Sequence, residues 1–96
     1  MDLEKRYSQS EDIVSRTIGE DTILVPIHRQ VGELENVYAL NDTAAFIWGQ
    51  MDGKSSLGDI CNRMESEFEV DRERAERDLL TCVAQFEEMK SIVPVD

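Results

Sequence analysis

The chain has 96 residues, 41% of them apolar and 32% charged, and its 21 Asp and Glu against 10 Lys and Arg give a formal charge of −11. A chain of this length hides roughly 60 to 65% of its unfolded surface, which supports one core and not two. The acid excess repels phosphate backbones, and the longest apolar runs, residues 23–27 and 44–48, fall far short of the ~18 residues of a membrane span, so nucleic-acid and membrane roles are disfavoured.

The opening MDLEKRYSQSED contains neither an apolar stretch nor a small-residue cleavage site, which gives a cytoplasmic expectation. Residues 1–10 read as a flexible N-terminus and residues 11–96 as a single domain. Ile13 to Ile18 is β-branched and partly alternating, Gly19-Glu20-Asp21 has turn chemistry, and Thr22 to Ile27 resumes the pattern, so the two runs predict a hairpin. Pro26 cannot donate to a ladder and belongs near a strand end or on a side of the strand that needs no N–H. His28 to Asn36 reads as a loop, and Val37-Tyr38-Ala39-Leu40 as a short third strand.

Asn41 is a good N-cap for a first helix bearing Ala44, Ile47, Trp48 and Met51 at one-face spacing, with Asp52-Gly53 ending it. Ser56 and Asp59 form a capping-box pattern ahead of Leu57, Ile60, Cys61, Met64 and Phe68. Asp71 opens a longer third helix to about residue 90, with a stripe of Ala75, Leu79, Cys82, Val83, Phe86 and Met89. The apolar tail Ile92-Val93-Pro94-Val95 is extended and packs back on the sheet or the first helix. The expected fold is α+β: a winged helix-turn-helix with a three-stranded antiparallel sheet followed by three helices.

A DNA-reading winged helix needs a basic recognition helix. The third helix instead carries six acids, from Asp71 to Glu88, against Arg72, Arg74, Arg77 and Lys90. On that helix Leu80 and Ala84 stand off the core stripe, with Glu73 and Arg77 continuing their flank. These residues either widen the core contact or wall a groove beside the third strand, whose edge has free N–H and C=O groups able to accept an added strand. Cys61 and Cys82 lack ligand spacing and fall on core faces. His28 is the single histidine and has no nucleophile at a recognisable spacing. No phosphate loop, paired carboxylates or metal cluster appears, so the expectation is a non-enzyme with no cofactor and no metal.

The run Tyr38-Ala39-Leu40-Asn41-Asp42-Thr43-Ala44-Ala45-Phe46-Ile47-Trp48, then Met51-Asp52-Gly53, Ile60, and Val70-Asp71 with Asp78 downstream, resembles the PqqD family over residues 11–93. Ser15-Arg16 also fits the family's opening strand. The resemblance implies a small non-catalytic domain that captures the leader segment of a ribosomally made precursor peptide and presents it to a modifying enzyme, often a radical S-adenosylmethionine protein. The product is pyrroloquinoline quinone or a related peptide-derived compound. It further implies a cleft between the third strand and the third helix. Carried onto this sequence, the peptide contacts are Val37, Tyr38, Ala39, Leu40, Glu73, Arg77, Leu80, Ala84 and Glu87. The chain is expected to be a monomer or a weak homodimer, and the competing readings are a dimerising adaptor and, after it, a DNA-binding winged helix.

Overall fold

The computed structural model describes residues 3–26 and 38–95. In chain order the elements are β1 (Arg6–Gln9), β2 (Ile13–Ile18), β3 (Asp21–Pro26), β4 (Tyr38–Leu40), α1 (Asp42–Gly49), β5 (Asp52–Ser56), α2 (Leu57–Phe68), α3 (Arg72–Glu88) and β6 (Ile92–Val95). All strand pairs are antiparallel. They form two three-stranded sheets, one in the order β2-β3-β4 and the other in the order β5-β1-β6.

The first sheet and the three helices match the expected α+β architecture. The hairpin turns at Gly19, whose φ of +63° at the first central position marks a two-residue turn that needs glycine there. The predicted loop from His28 and the first residue of the predicted third strand, Val37, lie outside the described residues. Asn41 caps α1 by accepting the Ala44 N–H at 2.8 Å.

The second sheet corrects the sequence reading in two places. Residues assigned to a flexible N-terminus include β1, which is the central strand of the β5-β1-β6 sheet. Tyr7 holds it there with only 3% of its surface exposed, and the carbonyls of Leu3 and Lys5 accept the Gly58 and Leu57 N–H groups at 2.8 and 2.9 Å. These are donors that the start of α2 would otherwise leave unpaired. The second correction concerns α1, which ends at Gly49 rather than at Gly53. Gly53 does take a left-handed φ of +80°, but inside β5, where the Asp52 carboxylate folds back to accept the Lys54 and Ser55 N–H groups, both at 2.8 Å. The apolar tail becomes β6 and pairs with β1.

One core joins these layers. Ile47, Trp48, Met51, Ile60, Met64, Leu79, Val83 and Phe86 are buried in it, together with Leu24 from β3 and Ile92 from β6. Trp48 meets Phe86 edge-on with centroids 5.6 Å apart. α3 closes with a Schellman motif, in which Ser91 N–H reaches Phe86 C=O at 2.9 Å and Lys90 N–H reaches Glu87 C=O at 3.0 Å. Lys90 supplies the left-handed residue at φ 59°, the position where glycine is commonest.

Two predictions follow from the helix ends. Glu69 terminates α2 in the left-handed region, φ 52° and ψ 44°, where an L side chain is strained and an acid faces the negative helix end. Glu69→Gly should raise the unfolding free energy by about 0.5–1 kcal/mol in urea titrations. The Ser56–Asp59 capping box is complete, and backbone N–H bonds hold both Asp59 and Asp52 below their ordinary 3.8. A lowered folded value means the contribution is whole above 3.8 and drains as pH falls through the lowered values. Urea unfolding midpoints of Asp59→Asn and Asp52→Asn, measured across pH, should therefore converge with the parent at low pH and diverge above pH 5, with the parent the more stable.

Candidate functional site

The site begins with the hydrogen-bond parity of the β2-β3-β4 sheet. In a two-residue hairpin the residues flanking the turn exchange both backbone bonds, and bonded pairs then alternate along the ladder. Ile18↔Asp21, Arg16↔Ile23 and Val14↔Val25 are thus the bonded pairs of β2 and β3. Pro26 lies opposite Ile13, in a pair that exchanges no bonds. Thr22 and Leu24 consequently turn their backbone groups to β4, where their partners are Leu40 and Tyr38. Ala39 is left as the residue of β4 whose N–H and C=O both face the open edge.

Beside that edge lies a groove of about 360 Å³, lined by Tyr38, Ala39 and Leu40 from β4 and by Gln85, Phe86, Glu88 and Met89 from the end of α3. Phe86 is buried, Met89 and Leu40 are half-buried against the core, and Tyr38 remains 44% exposed. The apolar wall therefore sits next to unpaired backbone, with polar Gln85 and Glu88 on the rim. Glu88 has no ionic partner among the described residues, and the last turn of α3 contains no basic residue. Carboxylate and helix end together make this rim negative.

The predicted strand residues Tyr38, Ala39 and Leu40 are in the groove, whereas Val37 lies outside the described residues. The predicted helix residues are elsewhere. At about 100° per residue, Leu80 stands roughly 140° and Glu87 roughly 160° around α3 from Gln85. Glu87 turns to the other sheet and accepts the Tyr7 hydroxyl at 3.3 Å. Glu73, Arg77, Leu80 and Ala84 are exposed, Leu80 by 46%, and Arg77 and Ala84 run along the stripe that ends at Glu88, about three turns and one turn before it. The helix side of this groove is Gln85, Phe86, Glu88 and Met89, and none of the predicted helix residues is in its lining. Leu80 drew notice as an apolar residue off the core stripe, but which flank meets β4 is set by how α3 lies across the sheets. Phe86 and Met89, both on the predicted stripe, are the groove residues of α3 that the sequence singled out.

The described residues also include the acids and thiols that could carry other chemistry. They hold no group of three His, Cys, Asp or Glu able to bind a metal ion. Cys61 and Cys82 are buried free thiols, and burial pushes both above the ordinary thiol value. Both should resist a thiol reagent in the native state at pH 8 and label fully in denaturant; prompt native labelling of either would contradict the burial described here.

A family model described as "Coenzyme PQQ synthesis protein D (PqqD)" matches residues 21–91. A search of curated protein sequences finds no match. Among solved structures, "TbiB1 in Complex with the TbiA(beta) Leader Peptide" is similar, with a TM-score of 0.73 and 20% identity over 88% of this chain and 93% of that one.

Proposed function

The chain belongs to the PqqD family, and on that premise we propose that it captures the leader segment of a ribosomally made precursor peptide and presents it to a modifying enzyme. The observation that carries this reading is the open β4 edge alongside an apolar groove. An extended peptide laid on β4 makes two main-chain bonds to Ala39, each contributing about 0.5–1.5 kcal/mol, and becomes a fourth strand of the sheet. Its alternate side chains enter between Tyr38 and Leu40 on one side and Phe86 and Met89 on the other. The likeness to a domain described in complex with a leader peptide supports this mode of capture.

The role is binding. Holding the leader raises the concentration of the attached core peptide at the enzyme to the mM range for a short flexible connection, which requires no catalytic group on this chain. The family resemblance supports a radical S-adenosylmethionine protein as that enzyme, a pathway to pyrroloquinoline quinone or a related compound, and a cytoplasmic setting. No helix among the described residues is long and apolar enough to cross a membrane.

The decisive experiment is an amide-resolved titration with candidate leader peptides. Shifts should concentrate at Ala39, Gln85, Glu88 and Met89. Ala39→Pro, which removes the outward N–H without touching the bonds to β3, should weaken binding about tenfold, and Met89→Glu by about 10- to 100-fold. Leu80→Glu, on the far flank, should bind as the parent does. If Leu80→Glu abolishes binding while Met89→Glu does not, the peptide lies on the other side of α3.

A further inference from the structure

The parity that opens Ala39 also exposes the opposite edge of the same sheet. Because Val14, Arg16 and Ile18 turn their backbone groups to β3, those of Ile13, Ser15 and Thr17 face away from it. The Ile13 N–H is taken by Ser10 C=O at 3.3 Å. The N–H and C=O groups of Ser15 and Thr17 have no partner among the described residues. β2 is six residues long, is paired without a bulge, and carries neither proline nor lysine. Short length, bulges, proline and charge are the features by which edge strands are normally protected, and of these β2 has only the charge of Arg16.

The other sheet shows that protection in place. Ser10 N–H bonds Ser91 C=O at 2.8 Å, so the bonded pairs of β1 and β6 continue at Ser8↔Val93 and Arg6↔Val95. Pro94 then has its nitrogen on the outer edge of β6, where a donor is absent. One exposed edge of the molecule is blocked by proline, while the longer one is left able to pair.

The surroundings of β2 select its partner. Exposed acids stand at both ends, Glu11 before it and Glu20 and Asp21 at the turn after it, while Val14, Ile23 and Val25, half-buried, and Ile18, 62% exposed, form most of a face that also carries Arg16 at its centre and Asp21 at its end. A second copy meets charge repulsion, most directly in the register that pairs the two outward residues with each other. Bonding Ser15 of one chain to Thr17 of another antiparallel chain sets Arg16 against Arg16 and Glu11 against Asp21, between two chains of formal charge −11. We propose that the outer edge of β2 is a docking site for an extended strand of a partner protein whose ends carry Lys or Arg and whose alternate residues are apolar. On the reading of the preceding section, which this inference extends, that partner is the modifying enzyme. Leader and enzyme then occupy the two edges of one sheet, about 10 Å apart across β3.

The test titrates the full chain with a synthetic peptide, Lys-Lys-Thr-Val-Thr-Val-Thr-Lys-Lys, and with its analogue bearing Glu for every Lys. The cationic peptide should protect the Ser15 and Thr17 amides from hydrogen exchange, and the acidic one should not. Ser15→Pro removes only an outward donor and should weaken the cationic peptide about tenfold. Glu11→Lys combined with Glu20→Lys should invert the preference between the two peptides. Leader binding at Ala39 should be unchanged in both variants, which separates failure here from failure of the leader site and also reports that the sheet is intact. Protection at Ala39 in place of Ser15 and Thr17, equal binding of both peptides, or a concentration-dependent dimer that Ser15→Pro dissolves would each overturn the proposal.

Discussion

The contact between Trp48 and Phe86 sets the position of the end of α3, and the groove depends on that position. Phe86 lies edge-on to Trp48 at 5.6 Å, which ties the last turn of α3 to α1. The Phe86 carbonyl accepts both the N–H and the hydroxyl of Ser91, at 2.9 and 3.0 Å, which turns the chain into β6. The same residue lines the groove beside β4. A single buried residue thus couples α1, the second sheet and the candidate peptide site, the ring reaching Trp48 and the groove and the carbonyl reaching Ser91.

Around that anchor the chain separates stability from recognition. The core positions of α2 and α3 are filled by Ile60, Met64, Leu79 and Val83, while charged residues form networks on the surface, as where Arg72 reaches Glu65 and Glu76 at 3.0 and 3.1 Å. Half-exposed ion pairs of this kind add little to stability. The β2-β3-β4 sheet, by contrast, contributes Leu24 to the buried core and leaves most of β2 in solvent. A sheet held on one face and open at both edges among the described residues presents backbone donors and acceptors that template an added strand. That exposed backbone is why the edges, rather than the helices, are where binding is to be sought.

The elements that local chemistry specifies were legible in the sequence. Asn41 and the Ser56–Asp59 box announced the helix starts, the 3.6-residue stripes announced the faces, and Gly19 announced the hairpin. β1 was illegible because its four residues contain one core side chain, Tyr7, among charged and polar neighbours. Its strand state comes from pairing with β5 and β6, which lie far along the chain. The same remoteness hid β5, read as a turn because Asp52-Gly53 does make one locally before the segment joins the sheet.

What the amino acids determine alone is a single acidic domain, a hairpin with a third strand, three capped helices with known inner faces, and kinship to a peptide-binding family. Each of these rests on interactions within a few residues, or on a run of identities that survives without coordinates. Only the tertiary structure decides that the N-terminus is a central strand, through its pairing with β5 and β6, and that Gln85 and Met89 line a groove beside β4. The second depends on how an already amphipathic helix is rotated and laid across two sheets. That rotation is governed by long-range burial at Tyr7, Trp48 and Phe86, which no local periodicity encodes.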